Sequence, residues 1–359
     1  MQVVSVDTHS LFQSFLDVPK LIYRDDENYV PHIRQEIEKA LWNKGDKVGL
    51  WMVEHNGDYV GRIAAFVNKG NKGGLGFFES INNKEVAHIL FDTGIQWLNT
   101  RSLTEVEVPV NYGERDKFWG LLVKGFDSPS YQENYNPPYY KDLIESYGFK
   151  PTITQSTQEI TPALFQYDKI KEAAKQFEAN ENLRLECINR NNMRKYARDF
   201  VTVYNAAWRE HKHFIPLTEE KVYKMMNSMK PVLREDLIWF TYDGDIPVSF
   251  YVSIIEMNEI FRHLNGNLNW LGKLKFLYYR WKVNPRRVRG LVFGVHPDYQ
   301  GRGITSGMML KVYDIIQNDA HLESSELAWI GDFNPRMLKF LRSIGAREIK
   351  QHLTYEKKL

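Results

Sequence analysis

The sequence predicts an α/β (α+β) chain of two domains, 1–180 and 188–359, each a mixed, mostly antiparallel sheet flanked by helices. Three observations predict it. At 359 residues the chain is long for one domain of roughly 150 residues. Asn56-Gly57 and Asp243-Gly244 each lie between stretches of period-2 apolar alternation, the pattern of a β-hairpin. After each hairpin the apolar period runs in one order, strand, helix, strand, helix, as when helices pack on a mixed sheet.

Taken in order, residues 18–44 read as an amphipathic helix, with His32, Ile33, Ile37, Ala40 and Leu41 spaced for one stripe. GLWMVEH and YVGRIAAFV form the first hairpin, GLGFFESI the next strand, EVAHILFDTGIQWLNT a helix and EVEVPV a strand. Residues 126–140, rich in proline and tyrosine, cannot form one regular element and read as a packed loop. YYKDLIESYGF ends a helix at Gly148. Residues 168–185 read as a charged helix, with the domain junction near 179–187. In the second half, 193–209 and 219–229 are helices, DLIWFTY and IPVSFYVSII a hairpin, RVRGLVFGV a strand, ITSGMMLKVYDIIQ a helix and SELAWI a strand. NPRMLKFLRSIG and EIKQHLTYEK close the chain as helix and strand.

Composition excludes several classes. With 47 Lys plus Arg against 45 Asp plus Glu the net charge is +2, so no globally basic nucleic-acid protein and no stable nucleic-acid partner is expected. The one cysteine, Cys187, allows neither an intrachain disulfide nor a cysteine metal cluster. The 10 histidines follow no ligand spacing, so no metal is expected. No run approaches the ~20 apolar residues of a transmembrane helix, and the first residues lack the pattern of a signal peptide. A cytoplasmic location is the expectation.

The sharpest local signal is LVFGVHPDYQGRGIT, 291–305: an apolar strand, a glycine-bearing turn, and a helix start. A helix start presents amides without partners to an anion. Gly301 and Gly303 let a phosphate approach the backbone, and Arg302 adds a charged donor. VHPDYQGRGIT resembles motif A of the GCN5-related N-acetyltransferases, matching at Gln300 and Gly303, with Thr305 where that family usually has Gly or Ala. Asn334 and Gly345 fit the family's later N-x-x-A-x-x-x-Y-x-x-x-G-F segment. Its usual tyrosine, the proton donor to the leaving thiolate, is replaced by Leu341.

The resemblance implies binding of acetyl-coenzyme A, or a related acyl-coenzyme A, by Phe293, Gly294, Val295, Gln300, Gly301, Arg302, Gly303, Ile304, Thr305 and Asn334. The implied reaction is N-acylation, acetylation being the family's usual case, of a small-molecule or peptide amine. The corresponding turn of the first half, 81–85, has no glycine and carries Glu85, so that half reads as a degenerate acetyltransferase-like domain. The Val295 amide would stabilise the oxyanion, and Glu256 or His296 would serve as base.

Asn111, Tyr112, Trp119, Phe126 and Tyr278 are candidates to line the acceptor groove. The insertion 258–289 interleaves Lys and Arg with aromatics. It reads as a basic lid over acceptor and coenzyme phosphates, as a solvated face over packed aromatics, or as a membrane- or nucleic-acid-binding patch. An aminoacyl-tRNA-dependent peptide-bond transferase and a catalytically inactive acyl-coenzyme A sensor are the alternatives.

Overall fold

Asn56 and Gly57 both take positive φ (55° and 89°), the left-handed pair that a tight hairpin turn matching strand twist requires. In the computed structural model, which describes residues 1–67, 71–113, 117–210 and 215–359, this hairpin is the second and third strand of a larger sheet. In chain order the first half holds β1 (Gln2–Ser5), α1 (His9–Ile22), α2 (Arg34–Leu41), β2 (Val48–His55), β3 (Asp58–Val67), β4 (Lys72–Ser80), α3 (Lys84–Asn99), β5 (Glu105–Val108), β6 (Leu121–Lys124), α4 (Tyr140–Ser146), β7 (Lys150–Ile160) and α5 (Tyr167–Glu178). The second holds β8 (Leu183–Cys187), α6 (Met193–Trp208), α7 (Glu219–Met229), β9 (Ile238–Asp243), β10 (Ile246–Ile255), α8 (Asn258–Phe261), α9 (Trp270–Lys282), β11 (Arg287–Val295), α10 (Ile304–Asn318), β12 (Ser324–Gly331), α11 (Pro335–Ser343) and β13 (Arg347–Lys358).

All the named strands lie in one sheet, ordered β1-β2-β3-β4-β5-β13-β7-β12-β11-β10-β9-β8, with β6 also on β13. The halves exchange strands. β13 pairs with β5, as in Tyr355↔Val108, while β7 pairs with β12, as in Glu326↔Glu159. Helices pack on the sheet around several cores. Phe12 and Phe15 of α1 form one core in the first half, and Val86, Leu90 and Leu98 of α3 form another. In the second half Phe200 and Val203 of α6 share a core with Phe240 and Phe250, and Ile304, Met308 and Val312 of α10 share one with Tyr251 and Ile254 of β10.

Two sequence expectations change. The single helix over 18–44 is two helices: Thr8 caps α1 ten residues earlier, and residues 23–33 break the path before α2. The stretch 168–185 is helical only to Glu178, and Leu183–Cys187 is a strand paired with β9.

Candidate active site

Each half contains a strand–helix–strand unit with a parallel pair: β4–α3–β5 and β11–α10–β12. The two helix starts differ chemically. At α3 the Asn83 side chain accepts from the amides of Glu85 (2.8 Å) and Val86 (3.3 Å), so those donors are used. At α10 the residue before the helix is Gly303, with no side-chain cap. The Gln300 amide closes a turn onto the Pro297 carbonyl. Among the described residues, no backbone or side-chain acceptor bonds the amides of Gly301 to Ser306. Gln300, Gly301 and Arg302 are exposed, whereas Ile304 and Ser306 are buried, so the turn opens to solvent at 300–302, where unbonded amides at a helix N-terminus can hold an anion.

The two glycines have different jobs. Both have positive φ, 78° at Gly301 and 75° at Gly303. A Cβ on Gly301 would meet nothing within 4 Å, whereas one on Gly303 would stand 2.8 Å from the Ala173 carbonyl oxygen. Gly301 therefore serves the positive φ of the turn with free space around it, and Gly303 lets α10 pack on α5. Arg302 lies over the Tyr299 ring at 4.6 Å, and Tyr299 donates to Asp243 at 2.8 Å, so the cation is held beside the turn.

Beside the cradle the sheet splits. β11 pairs with β12 only from Arg287↔Ser324 to Gly290↔Leu327. A bulge on the β10 side, between Val252↔Val292 and Ser253↔Gly290, leaves Leu291 extra. Such a bulge bends the strand away from its neighbour. The His296 amide bonds the Val248 carbonyl on β10. Strand alternation then turns the amides of Phe293 and Val295 to the other edge, where β12 has diverged. The gap is a cleft of about 240 Å³ whose walls include Trp208, Phe293, Trp329, Met337, Phe340 and Leu341. This is apolar volume with an unpaired peptide edge along one side. Asn334, capping α11 at Met337 (3.2 Å), stands in the wall.

At the closed end of the cleft a Cβ on Gly290 would sit 2.9 Å from the Tyr251 hydroxyl. The absence of that carbon lets the phenol reach β11, and its hydroxyl neighbours are Ser325, with Oγ at 3.4 Å, and Ser253. Burial raises the Tyr251 pKa, which keeps the phenol a protonated donor.

Glu256 follows β10 at the far end of β11. Its Oε1 accepts from the amides of Tyr131 and Asn258, each at 2.8 Å, and Oε2 has no hydrogen-bond partner among the described residues. Burial raises its pKa to about 7 despite Arg289 and Arg287. The surrounding buried network includes Arg287 on Glu326 (2.6 Å), Arg289 near Glu133 (3.7 Å), and Ser130 donating to Glu326. Against the cost of burial, Arg289, Lys350 and His352 hold the Glu133 carboxyl well below its usual range. Residues 129–133 thus plug the junction between the halves, as a packed loop would.

The Glu256 shift has a sign that can be tested. Its ordinary value is 4.5 and its folded value about 7, so between these the native state keeps a proton that the unfolded chain has lost. Stability is full below about 4.5 and falls as pH rises through 7. Glu256→Gln should therefore be the more stable protein at pH 8, by up to about 3 kcal/mol. The gap should close by pH 4. Urea melts of both proteins at pH 4, 6 and 8 check this.

The remaining sequence candidates are dispersed. His296 accepts from the Asp298 amide and caps the 297–299 turn. Asn111 accepts from the Phe77 amide and donates to Asn134 within the first half. Tyr112 packs on Phe77 and Phe118, and Phe126 on the Tyr23–Tyr135 cluster. Trp119 meets the cleft wall edge-on, 5.3 Å from Trp329. Tyr278 is half exposed on α9. Sequence reasoning missed Tyr251, Trp208, Trp329 and Phe333. Only Tyr251 had a usable signal, its place on the strand beside RVRGLVFGV, where it pairs with Phe293.

No family model matches the chain. Two curated proteins are similar along nearly its whole length. One is Protein YghO of Escherichia coli (25% identical, covering 97% of this chain and 93% of that one). The other is the Bacterial ceramide synthase of Caulobacter vibrioides (25% identical, 100% and 98%). Among solved structures, a tandem GNAT protein from the clavulanic acid biosynthesis pathway superposes with a TM-score of 0.56 at 7% identity, covering 99% of this chain and 98% of that one. A GCN5-related N-acetyltransferase from Sphaerobacter thermophilus gives 0.54 at 12% identity, covering 99% and 95%. From end to end, the chain has the fold of the GCN5-related N-acetyltransferases.

Proposed function

We propose that the protein is an acyl-coenzyme A-dependent N-acyltransferase that moves a fatty acyl group onto the amine of a long-chain acceptor. The observation that carries this reading is the apolar cleft opening along the unpaired edge of β11, beside the unbonded amides of Gly301 to Ser306. The amides and Arg302 suit a diphosphate, and the peptide edge suits the amide-bearing arm of the coenzyme. A cleft of about 240 Å³ is large for an acetyl group and suits a longer chain. The likeness to a bacterial ceramide synthase over both full lengths supports a lipid acceptor, since a ceramide is the amide of a fatty acid with a long-chain amino alcohol.

In the reaction the amine nitrogen bonds to the thioester carbonyl carbon, the C–S bond breaks and the thiolate leaves. The inward amides of Phe293 and Val295 stabilise the oxyanion. Tyr251 protonates the thiolate, in place of the side chain that Leu341 does not provide. Glu256 takes the proton shed by the amine. Three residues of β11, about 10 Å, separate it from Gly290, and its carboxyl is fully buried outside the cleft wall, so this role requires a chain of waters between them.

The test is thiol release from acyl-coenzyme A of increasing chain length, with a long-chain amino alcohol and with a short amine. Affinity should rise by up to about fourfold per added methylene until the cleft is full, and turnover should need the long-chain amine. Chain-length-independent binding would contradict the role of the cleft. Tight binding with no thiol release on any amine would favour the sensor alternative.

A further inference from the structure

The insertion 258–289 leaves β10 and returns to β11 at the pair Ile255↔Val288. It therefore hangs from the end of the sheet opposite the 296–303 turn, about 27 Å along β11, and not over the coenzyme loop. Its main element is α9, whose faces sort by chemistry. Trp270, Leu271, Leu274, Leu277, Tyr278 and Trp281 are all at least half exposed, the two tryptophans by 70% and 81%. At 100° per residue these six span one arc of about 120°. Gly272, Phe276 and Tyr279 point the opposite way, Gly272 buried and the two rings packed on the core. Lys275 and Lys282 flank the apolar arc on one side, and Lys273 and Arg280 on the other.

This is the reverse of a surface helix in a globular protein, whose apolar stripe faces inward. An outward apolar arc with tryptophan at both ends and bases on both flanks has the composition of an interfacial helix. The helix carries four cations and no acid, and among the described residues none of the four is in an ion pair. Lysine is depleted at protein–protein interfaces, so the charge pattern favours lipid phosphates over a protein partner. No helix of the described residues is long and apolar enough to cross a membrane, so the contact is with the surface.

We propose that α9 docks the protein onto an anionic lipid bilayer, with the apolar arc among the acyl chains and the exposed Lys273, Lys275 and Lys282 at the phosphates. The coenzyme cradle, at the other end of β11, stays in water, while a lipid amine can reach the protein from the docked end. Docking goes beyond the acyl-transfer reading and does not depend on it.

The experiment is co-sedimentation of the full chain with vesicles of phosphatidylcholine alone, or with one third phosphatidylglycerol, at two salt concentrations. Binding should need phosphatidylglycerol and weaken with salt. Each of Lys273→Gln, Lys275→Gln and Lys282→Gln should weaken it about fivefold. Leu274→Glu/Leu277→Glu should abolish it while the thermal midpoint and coenzyme A binding stay as in the wild type. Failure to bind phosphatidylglycerol vesicles at low salt would overturn the proposal, as would binding unchanged by the double variant. So would a dimer in solution that the double variant dissociates while vesicles capture nothing. None of these failures would touch coenzyme binding, so the acyl-transfer reading is tested apart.

Discussion

Gly301→Asp should bind coenzyme A on the order of a hundredfold more weakly than Gly301→Asn. Asparagine and aspartate have one shape and both tolerate positive φ, so the strain of leaving glycine is common to the two. They differ by one negative charge beside a bound diphosphate. Two unit charges about 4 Å apart near a protein surface repel by about 4 kcal/mol, which solvent and salt at this exposed turn reduce to the roughly 3 kcal/mol of a hundredfold change. The site is suited to the comparison because a Cβ there meets nothing within 4 Å. Gly303 would be a poorer choice, since its Cβ would strike the backbone of α5 and the measurement would then report packing. Titration of both variants with coenzyme A, with matched thermal midpoints, checks the expectation. Equal affinities would remove the diphosphate from this turn.

Tyr251→Phe should lower kcat by about a hundredfold, the usual scale for losing a proton donor, and leave KM nearly unchanged. The phenol is buried at the closed end of the cleft, with the Ser325 and Ser253 hydroxyls nearby, and its ring packs in the core. The phenylalanine ring keeps that packing and removes only the oxygen. Adding Leu341→Tyr to this variant should recover part of kcat, because Leu341 stands in the same cleft wall and a hydroxyl there returns a donor. A purely structural role for Tyr251 would show instead as a lowered thermal midpoint and no recovery. Steady-state thiol release for the wild type, single and double variants separates these outcomes.

Much of this was legible in the chain itself, and what was not has physical causes. The 48–67 hairpin and the strand–turn–helix over 287–318 announce themselves by local rules: left-handed turn residues, then a change of apolar period. β7 carries no such signal. It lies between β12 and β13 and buries Gln155, Ser156, Thr157 and Gln158, so its sequence, KPTITQSTQEI, has no apolar alternation to read. The exchange of strands is equally silent, because Tyr355 finds Val108 across nearly 250 residues of sequence and no spacing rule spans that distance. α9 has an apolar period that normally marks an inward stripe, and only the folded chain shows that it faces out. The cradle was readable because its chemistry is backbone chemistry in one short segment. The cleft was not, because Trp208, Phe293, Trp329 and Phe340 come from four separate elements.

On the proposed function, one cleft holds both the diphosphate end and the acyl end of an acyl-coenzyme A. Calorimetric titration of the full chain with coenzyme A, acetyl-coenzyme A and dodecanoyl-coenzyme A tests it most directly. One site per chain, occupied by all three and most tightly by the dodecanoyl ester, is the predicted result. An absence of binding heat, or equal affinity for the acetyl and dodecanoyl esters, would contradict it.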